Sequence, residues 1–386
     1  LADFETKPDL NLLDIETPCL ILDKKKVRNN INSLHLRMKN LGVNLRPHGK
    51  TAKNIDVMRM CLDGKSGGIT VSTLKEAEYY FSHGIVDIFY AVGITPIKLG
   101  RIAKLINDGA NITIILDSIE QVNFVTAKAK EFSLTIPVLI EIDCDGHRSG
   151  VKPGAPLLLD IARLLNSEDG VTLMGILTHA GESYNCKSTE EIHALAELER
   201  DTAVKCAEVL RSDGLPCPVV SVGSTPTAIF ATDLSGVTEV RAGVFVFFDL
   251  VMAGLSVCDM NDIGLSVLTS VIGHQKDNGW VISDAGWMAL SRDRGTASQR
   301  VDYGYGQVCN VEGASLENTI VTSTNQEHGI IESNGQKNID SSAFEIGRAL
   351  RILPNHACAT GAMHDRYYVI DGTTEVVDVW PRVNGW

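Results

Sequence analysis

A lone lysine, Lys50, stands where the sequence indicates a corner between a strand and a helix. Its segment, Leu45-Arg46-Pro47-His48-Gly49-Lys50-Thr51, ends an apolar run at a proline, and a helical pattern begins at Lys53. An α/β barrel carries its chemistry at the carboxyl ends of its strands, which is where this corner would lie. A partly desolvated lysine amine there can form a Schiff base or act as a base.

Two later segments place ionisable side chains at the ends of predicted strands. In the segment 141–150, Arg148 lies between two glycines and could bind an anionic oxygen or an oxygen of an aromatic heterocycle. In the segment 178–184, His179 and Tyr184 bring an imidazole and a phenol to the same edge. The alternatives are a solvated loop for the first segment and a structural histidine in the second.

Small and hydroxylated residues follow the last two predicted strands of this series. Gly223, Ser224 and Thr225 follow one strand, and Gly243 follows the next. Barrels bind phosphate at these two corners, because free backbone N–H groups and hydroxyls can surround its oxygens. A lysine on the first strand and a phosphate site on the last two together predict pyridoxal 5'-phosphate, whose aldehyde needs an amine and whose phosphate needs an anchor.

The sharpest feature of the carboxyl-terminal part is the run 353–361, which contains His356 and Cys358. If a strand continues through this run, the two side chains face the same side. An imidazole and a thiolate so placed can share one Zn2+, and two protein ligands leave the remaining positions open to water or substrate. A second polar cluster, 325–329, could line the same cleft or form a surface turn.

The elements that position these residues form a repeating pattern of short β-branched runs and amphipathic helices. Eight strand–helix units predict an α/β fold with a parallel (β/α)8 barrel, and an open doubly wound sheet is the alternative because periodicity does not show closure. A basic helix is predicted at 24–39, and others at 74–83, 97–108, 119–132 and 192–212. The strands are predicted at 43–46, 68–72, 87–92, 112–117, 138–143, 173–179, 219–223 and 239–243.

After residue 252 the pattern changes to short strands separated by Gly, Asn and Asp turns, which predicts an all-β domain. The strand predicted at 19–23 could pair with that domain. We therefore predict a barrel over residues 24–252, and a β domain carrying the metal site from residues 1–23 and 253–386. Its strands are predicted at 265–273, 280–284, 307–311, 319–324, 349–353, 366–370 and 376–380.

Composition restricts the class of protein and its partners. A length of 386 residues suggests two domains, and the net charge of −13 argues against nucleic acid or an anionic membrane as a partner. No apolar run approaches the roughly 20 residues that span a bilayer, and no secretory signal is visible. The nine scattered cysteines, without a CxxC pair, fit reduced thiols in the cytosol better than a disulfide framework. These features predict a cytoplasmic protein.

Several long stretches identify the chain as similar to a known family. It resembles the fold-type III pyridoxal-phosphate enzymes, which have an alanine-racemase-like barrel and a carboxyl-terminal β domain, and within them the metal-dependent D-serine dehydratase and D-threonine aldolase group. One departure is Gly49, because a dehydratase of the group has a bulkier residue beside the lysine. The resemblance covers nearly the whole chain, through RPHGKT, GITVSTLKEAE, EIDCDGHRSGV, LTHAGESY, VSVGSTPTA, EVRAGVFVFFDLVM, DAGWMALSRDRGT, NQEHGI and LRILPNHACATGA.

By position, the resemblance assigns roles to residues of both domains. Lys50 would hold the cofactor as a Schiff base, and zinc or another divalent metal would be bound by His356 and Cys358. Aldolases of the group carry aspartate where Cys358 stands, whereas dehydratases carry cysteine, which favours dehydration here. The other cofactor-binding residues would be Arg148, His179, Tyr184, Gly223, Ser224, Thr225 and Gly243.

The resemblance implies a dehydratase, acting as an ammonia-lyase on 3-hydroxy D-amino acids such as D-threo-3-hydroxyaspartate or D-serine, that forms a 2-oxo acid and ammonia. Lys50 would remove the Cα proton, and the metal would bind the departing β-oxygen. A D-threonine or D-3-hydroxyaspartate aldolase is the first alternative, and a non-catalytic pyridoxal-phosphate carrier and an amino-acid racemase are two others. A homodimer is implied by the resemblance alone. An arginine that binds a second carboxylate could be any of several, including Arg292, Arg294 and Arg351.

Overall fold

A computed structural model describes residues 10–63, 67–335 and 339–386. The chain divides into two compact units, one formed by Ser33–Gly243 with Gly385–Trp386, and the other by Leu1–Asn32 with Val244–Asn384. Because the first boundary falls inside a helix, the division predicted at residues 24 and 252 stays a prediction. All nine cysteines lie in the described residues, and none forms a disulfide. A search of these residues finds no helix with the length and apolar character that a bilayer crossing needs.

The elements begin with β1 (Leu10–Asn11), β2 (Cys19–Asp23) and α1 (Lys24–Asn40). The next eight strands belong to the first of the two units named above. They are β3 (Asn44–Pro47), β4 (Ile69–Val71), β5 (Asp87–Tyr90), β6 (Asn111–Leu116), β7 (Ile136–Ile142), β8 (Val171–Thr178), β9 (Val219–Val222) and β10 (Glu239–Ala242). Helices alternate with them as α2 (Ile55–Leu62), α3 (Leu74–Ser82), α4 (Leu99–Asn107), α5 (Ile119–Glu131), α6 (Leu157–Ser167), α7 (Thr189–Ser212) and α8 (Thr225–Phe230).

The eight strands form one parallel sheet in the order β3-β10-β9-β8-β7-β6-β5-β4. The two ends of this order are joined by a parallel bridge between His48 and Thr70, directly after β3 and within β4. The sheet therefore closes, which confirms the predicted (β/α)8 barrel, and the open doubly wound sheet is wrong. Strands of a parallel sheet are covered on both faces, which explains why they read as continuous apolar runs.

Side-chain caps set the starts of the barrel helices. Asn54, Thr73, Ser118 and Ser188 each accept a hydrogen bond from a backbone N–H in the first turn of the helix that follows. These caps satisfy N–H groups that have no partner within the helix. They also correct two predicted starts: α2 begins at Ile55 rather than Lys53, and α7 begins at Thr189, ahead of the first apolar residue of its pattern.

The second unit contains a ten-stranded sheet, mostly antiparallel. Its order includes a closed circuit from β11 through β12, β15, β14, β13 and β16 back to β11. β2 pairs with β11, which confirms that the strand predicted at 19–23 belongs to this sheet. Its strands are β11 (Leu265–Gln275), β12 (Trp280–Ser283), β13 (Gln307–Cys309), β14 (Ser315–Thr324), β15 (Gly329–Ser333), β16 (Ala349–Leu353), β17 (Arg366–Ile370) and β18 (Glu375–Pro381), with short helices α9 (Leu250–Gly254), α10 (Trp287–Leu290) and α11 (Ala357–Ala362).

An ion network links three strands of the barrel near their amino-terminal ends. Arg46 on β3 donates from Nε to Glu239 Oε2 at 2.7 Å and from Nη1 to Asp87 Oδ1 at 3.1 Å. Ser221 donates to the other oxygen of Glu239 at 2.7 Å. The Arg46 side chain is largely buried, so its loss would leave two acidic groups without their common partner.

We predict that Arg46→Met destabilises the barrel by about 2–3 kcal/mol, because an uncompensated charge costs more than the pair itself contributes. Differential scanning calorimetry should show a thermal midpoint lower by about 6 °C. Arg101→Met is the matched control, since Arg101 makes the same two-pronged pair with Glu78 at the surface. An exposed pair contributes less than about 1 kcal/mol, so equal shifts for the two variants would contradict the prediction.

Candidate active site

Lys50 lies directly after the seam that closes the barrel. The backbone N–H of His48 donates to Ala242 O at 2.7 Å, and that of Gly49 donates to Thr70 O at 2.7 Å. These bonds attach the end of β3 to both neighbouring strands, one on each side. The next residue is Lys50, whose side chain is exposed at the carboxyl-terminal rim. The predicted position of the lysine on an α/β barrel is therefore the observed one.

The departure at Gly49 has a steric reason in this chain. A Cβ on Gly49 would lie 2.6 Å from the ring of Tyr80, which is closer than real contacts allow. The Tyr80 hydroxyl donates to Gly49 O at 3.0 Å, and its ring is fully buried. A bulkier residue beside the lysine would therefore require Tyr80 to move.

A buried ion pair supports the loop after Lys50. Lys53 adopts a left-handed backbone conformation, with φ of 46°, and its Nζ lies 2.6 Å from Glu76 Oε1. Glu76 is fully buried and accepts a second hydrogen bond from Ser72 N at 2.8 Å. The conformation of Lys53 is unfavourable for a residue with a Cβ, so the buried pair holds this loop in a shape it would not otherwise prefer.

Two histidines at the rim are neutral. Burial, reinforced by the positive charges of Lys50 and Arg241, lowers the pKa of His48 well below its usual value. The Nδ1 atom of His48 accepts a hydrogen bond from Lys50 N at 3.3 Å. Burial also lowers the pKa of His179 to about 3. His179 Nδ1 lies 2.7 Å from Gly223 O, and a carbonyl can only accept, so Nδ1 carries the proton and Nε2 of the neutral ring is free of one.

Charged and aromatic groups surround His179. The positive charges of Lys50 and Arg148, which were predicted for the site, and of Arg241, which was not, all lower the pKa of His179. Tyr184 lies in a short 3-10 turn, Gly181–Tyr184, with its ring centroid 6.4 Å from that of His179. Arg148 is exposed, and its guanidinium is 3.5 Å from Glu141.

The corner after β9 packs closely on β10 and carries one buried hydroxyl without a partner in the described residues. Gly223 has φ of 138°, and a Cβ there would lie 2.1 Å from Arg241 O, so only glycine fits. Ser224 caps α8 and its hydroxyl is 2.8 Å from that of Ser183. The buried Oγ1 of Thr225 has no hydrogen-bond partner among the residues that the structure describes. This orphaned hydroxyl is suited to an incoming phosphate oxygen.

The corner after β10 adjoins the lysine corner. A Cβ on Gly243 would lie 3.1 Å from Thr51 Oγ1 and 3.2 Å from His48 Cβ. Gly223 and Gly243 therefore allow the two corners of the predicted phosphate site to pack closely on neighbouring residues of the barrel. The residues present fit this cofactor.

Arg241 is a site residue that the sequence-based prediction missed. It is buried inside the barrel, donating to Ser221 Oγ at 2.7 Å and to Thr178 O at 2.6 Å. β10 also contains Glu239, so a charged residue within this strand was not a distinctive signal for Arg241. Its guanidinium adds a fixed positive charge beneath the rim, where an anionic cofactor would bind.

In the second unit, His356 and Cys358 do interact, but not on a strand. β16 ends at Leu353, His356 is the residue before α11, and Cys358 lies in its first turn, so the predicted continuation of the strand is wrong. Its reason is local: Pro354 removes an N–H, and the run from Ala357 to Ala362 favours a helix. The imidazole and the thiol nevertheless form a hydrogen bond with each other.

Two acidic residues surround this pair. Asp293 Oδ2 lies 2.7 Å from Nδ1 of His356, and Asp249 Oδ2 accepts from Ala357 N at 2.9 Å. Burial acts to lower the pKa of His356, but the hydrogen bonds with Asp293 and Cys358 outweigh it and raise the pKa to about 11. A metal would therefore displace a proton from the pair.

The pair fits a divalent metal as an open site rather than a closed one. No group of three or more His, Cys, Asp or Glu side chains in the described part of the chain is arranged to hold a metal ion. An imidazole oriented by a carboxylate, beside a thiol, is a donor set that zinc uses. The second polar cluster, 325–329, partly enters β15, a strand that the sequence-based prediction missed; the Asn325 backbone pairs with His328 and Trp287.

Similarity to known proteins extends along nearly the whole chain. Residues 22–251 match the family model described as alanine racemase, N-terminal domain, and residues 264–370 match that described as putative serine dehydratase domain. D-threo-3-hydroxyaspartate dehydratase of Delftia sp. (strain HT23) is 50% identical over 97% of this chain and 99% of its own length. D-serine dehydratase of Dictyostelium discoideum is 33% identical over 99% of this chain and all of its own.

A solved structure agrees with these sequence relatives. A cysteine-to-alanine variant of D-threo-3-hydroxyaspartate dehydratase, in the metal-free form, superimposes with a TM-score of 0.95 at 49% identity and covers 98% of this chain and all of that one. The resemblance drawn from the sequence stretches is confirmed. The chain belongs to the family of fold-type III pyridoxal-phosphate proteins in which an alanine-racemase-type barrel is joined to a serine dehydratase domain.

Proposed function

We propose that the protein is a dehydratase of 3-hydroxy D-amino acids, such as D-threo-3-hydroxyaspartate or D-serine, that eliminates water and releases a 2-oxo acid and ammonia. The observation that carries the proposal is the imidazole–thiol pair of His356 and Cys358 in a chain whose barrel also presents Lys50. A cofactor carrier or a racemase has no use for such a pair, whereas loss of a β-hydroxyl needs a group that stabilises the departing oxygen. The full-length likeness to two dehydratases supports the same conclusion.

The barrel residues are proposed to hold pyridoxal 5'-phosphate. Lys50 would bind its aldehyde carbon, and the phosphate would be held by Gly223, Ser224 and Thr225 with the backbone at Gly243. When bound, the cofactor supplies an electron sink for the bond broken at Cα. Arg148, His179 and Tyr184 would surround its ring. The orphaned Thr225 hydroxyl and the two tightly fitted glycines support this arrangement.

Proton transfer at Cα is assigned to the Nζ atom of Lys50. Of the rim groups that could act as a base, His48 and His179 each have Nδ1 engaged in a short-range hydrogen bond with the backbone. Their pKa values are lowered by burial, so their rings are weak bases at neutral pH. Lys50 is exposed to the rim and is the basic side chain best suited to reach a substrate.

His356 and Cys358 are proposed to hold zinc, which would supply Lewis-acid stabilisation of the departing hydroxide. Asp293 fixes the His356 ring by its 2.7 Å hydrogen bond to Nδ1, and this leaves Nε2 for the metal. The two-ligand set leaves positions for water and for a substrate oxygen.

Homodimerisation and a cytoplasmic location are also proposed. The dimer follows from the likeness to the family, and the location from the nine cysteines, none of which forms a disulfide in the described residues. Size-exclusion chromatography with light scattering at several protein concentrations tests the first; a monomer across the range would remove it.

Arg292 is proposed to bind the second carboxylate of D-threo-3-hydroxyaspartate. Of the three candidate arginines, Arg351 is only 2% exposed and bonded to Ser266, and Arg294 is paired with Asp302 at 2.7 Å. Arg292 is exposed, and its guanidinium lies 4.1 Å from the centroid of the Trp287 ring, with no carboxylate partner within the described ranges. It precedes Asp293, which orients His356. Since the β-carbon of this substrate carries both the hydroxyl and the carboxylate, an arginine beside the metal pair suits it.

Product analysis tests the proposed function. We predict that the cofactor-loaded protein converts D-threo-3-hydroxyaspartate, and D-serine less well, to the 2-oxo acid and ammonia. Chelation with EDTA should remove the activity, and Zn2+ should restore it. A His356→Ala variant should be inactive with or without added Zn2+. Glycine and an aldehyde as products would mean that the protein is an aldolase, and turnover unaffected by chelation would exclude the metal role.

We predict that Arg292→Gln lowers kcat/KM for D-threo-3-hydroxyaspartate on the order of 100-fold, because charge-assisted hydrogen bonds are worth about 1.5–3 kcal/mol. kcat/KM for D-serine should change less than about 3-fold, since D-serine has no second carboxylate. Arg300→Gln, an exposed arginine in the same loop, is the control and should leave both unchanged. Equal losses for the two substrates would remove the assignment.

A further inference from the structure

A buried carboxylate joins the two rim loops that follow β8 and β9. Glu199 projects from α7 and is only 2% exposed. Its Oε1 accepts the backbone N–H groups of Ala180 and Gly223, each at 2.9 Å. Its Oε2 accepts the hydroxyl of Thr227 at 2.7 Å. One side chain therefore holds one residue of each loop, Ala180 and Gly223, and also Thr227 in the first turn of α8.

These contacts hold Gly223 in place. Gly223 is part of the phosphate cradle, which is formed by Gly223, Ser224, Thr225 and Gly243. The N–H of Gly223 is held by Glu199, and its carbonyl accepts from Nδ1 of His179 at 2.7 Å. The Thr227 hydroxyl also accepts from Ser224 N at 3.1 Å. Glu199 thus acts on both the imidazole and the phosphate cradle through its neighbours, although its own carboxylate is not exposed to the rim.

The carboxylate is matched to its donors in number and direction. Burial raises the pKa of Glu199, and the hydrogen bonds from Thr227, Gly223 and Ala180 oppose that shift. Without an acceptor, these three donors would be buried with no replacement from solvent, at a cost that water cannot relieve. A side chain of this length is therefore what keeps the two loops at their present separation.

We propose that Glu199 is a positioning residue that sets the shape of the cradle, and with it the affinity for pyridoxal 5'-phosphate and the orientation of His179. The inference rests on the proposed function in one respect, namely that this cradle binds the cofactor. Reach, rather than charge, is the property that matters, because two of its three contacts are to backbone N–H groups that an amide oxygen could also satisfy.

Two variants separate reach from charge. Glu199→Gln keeps the length and one acceptor oxygen, and its amide can donate to Thr227 while that hydroxyl turns toward Ser224 Oγ, 3.0 Å away. Glu199→Asp keeps the charge but draws the carboxylate back by one methylene. Glu197→Gln is the control, since Glu197 is exposed on the same helix. Val125→Ala, a fully buried position on α5, controls for general loss of stability.

The experiment is a titration of each cofactor-free protein with pyridoxal 5'-phosphate, followed by absorbance, with histidine ring signals recorded by NMR. We expect Glu199→Gln, Glu197→Gln and Val125→Ala to bind within about 3-fold of the unaltered chain, and Glu199→Asp to bind at least about 30-fold more weakly. The NMR signal of His179 should shift in Glu199→Asp alone.

Each outcome tests either the proposed function or the positioning role of Glu199. If the unaltered chain does not bind the cofactor, the proposed function fails. If the unaltered chain binds it and Glu199→Asp binds equally well, or Glu199→Gln is as weak as Glu199→Asp, the positioning role fails. If Val125→Ala is weakened as much as Glu199→Asp, the loss reflects stability, and the positioning role again fails.

Discussion

The closure of the barrel at the end of β3 is the constraint on which the candidate site depends. β3 is short. Directly after it, the backbone N–H groups of His48 and Gly49 donate hydrogen bonds to Ala242 and Thr70 on the two neighbouring strands. The chain leaves the sheet immediately after these hydrogen bonds, and Lys50 therefore lies at the rim of the barrel. Tyr80 then packs so tightly on Gly49 that the backbone before the lysine cannot shift without disturbing the buried core.

Electrostatics at the rim follow from the same closure. The seam brings Lys50 and Arg241 near His48 and His179, and burial with those charges keeps both imidazoles neutral. A positively charged rim is suited to an anionic cofactor, since it attracts a phosphate. In the other unit, a metal at the proposed His356 and Cys358 site would have to replace a proton of that pair. The proposed β-elimination would use both chemistries.

Much of this fold could be predicted from the sequence, but fewer of its side-chain contacts could. All eight barrel strands and their order along the chain follow from periodicity, because each parallel strand is covered by helices on its outer face and by the packed barrel interior on its inner face, and is therefore largely apolar. Closure could not be inferred, since it rests on one bridge between His48 and Thr70 that no local pattern encodes. The run after β16 was predicted to continue as a strand because β16 is mostly apolar up to Leu353, whereas Pro354 directly after it ends the strand.

The candidate site, too, could be predicted only in part from the sequence. Lys50, His179 and the Gly223 corner could be located from residue type at strand ends. Arg241 and Glu199 could not, since their partners, Thr178 and Ala180, lie far from them along the chain, and only the fold makes them neighbours. Asp293 was missed for the same reason, as it reaches His356 across a large separation in sequence.

The central claim is that Lys50, placed by the seam, is the lysine that carries pyridoxal phosphate. Reduction of the cofactor-loaded protein with sodium borohydride, followed by peptide mass spectrometry, tests it most directly. The account predicts a phosphopyridoxyl group on Lys50, with none on Lys53, whose amine is held by Glu76. A modification on Lys53 or on another lysine, or none on a protein that binds the cofactor, would contradict the account.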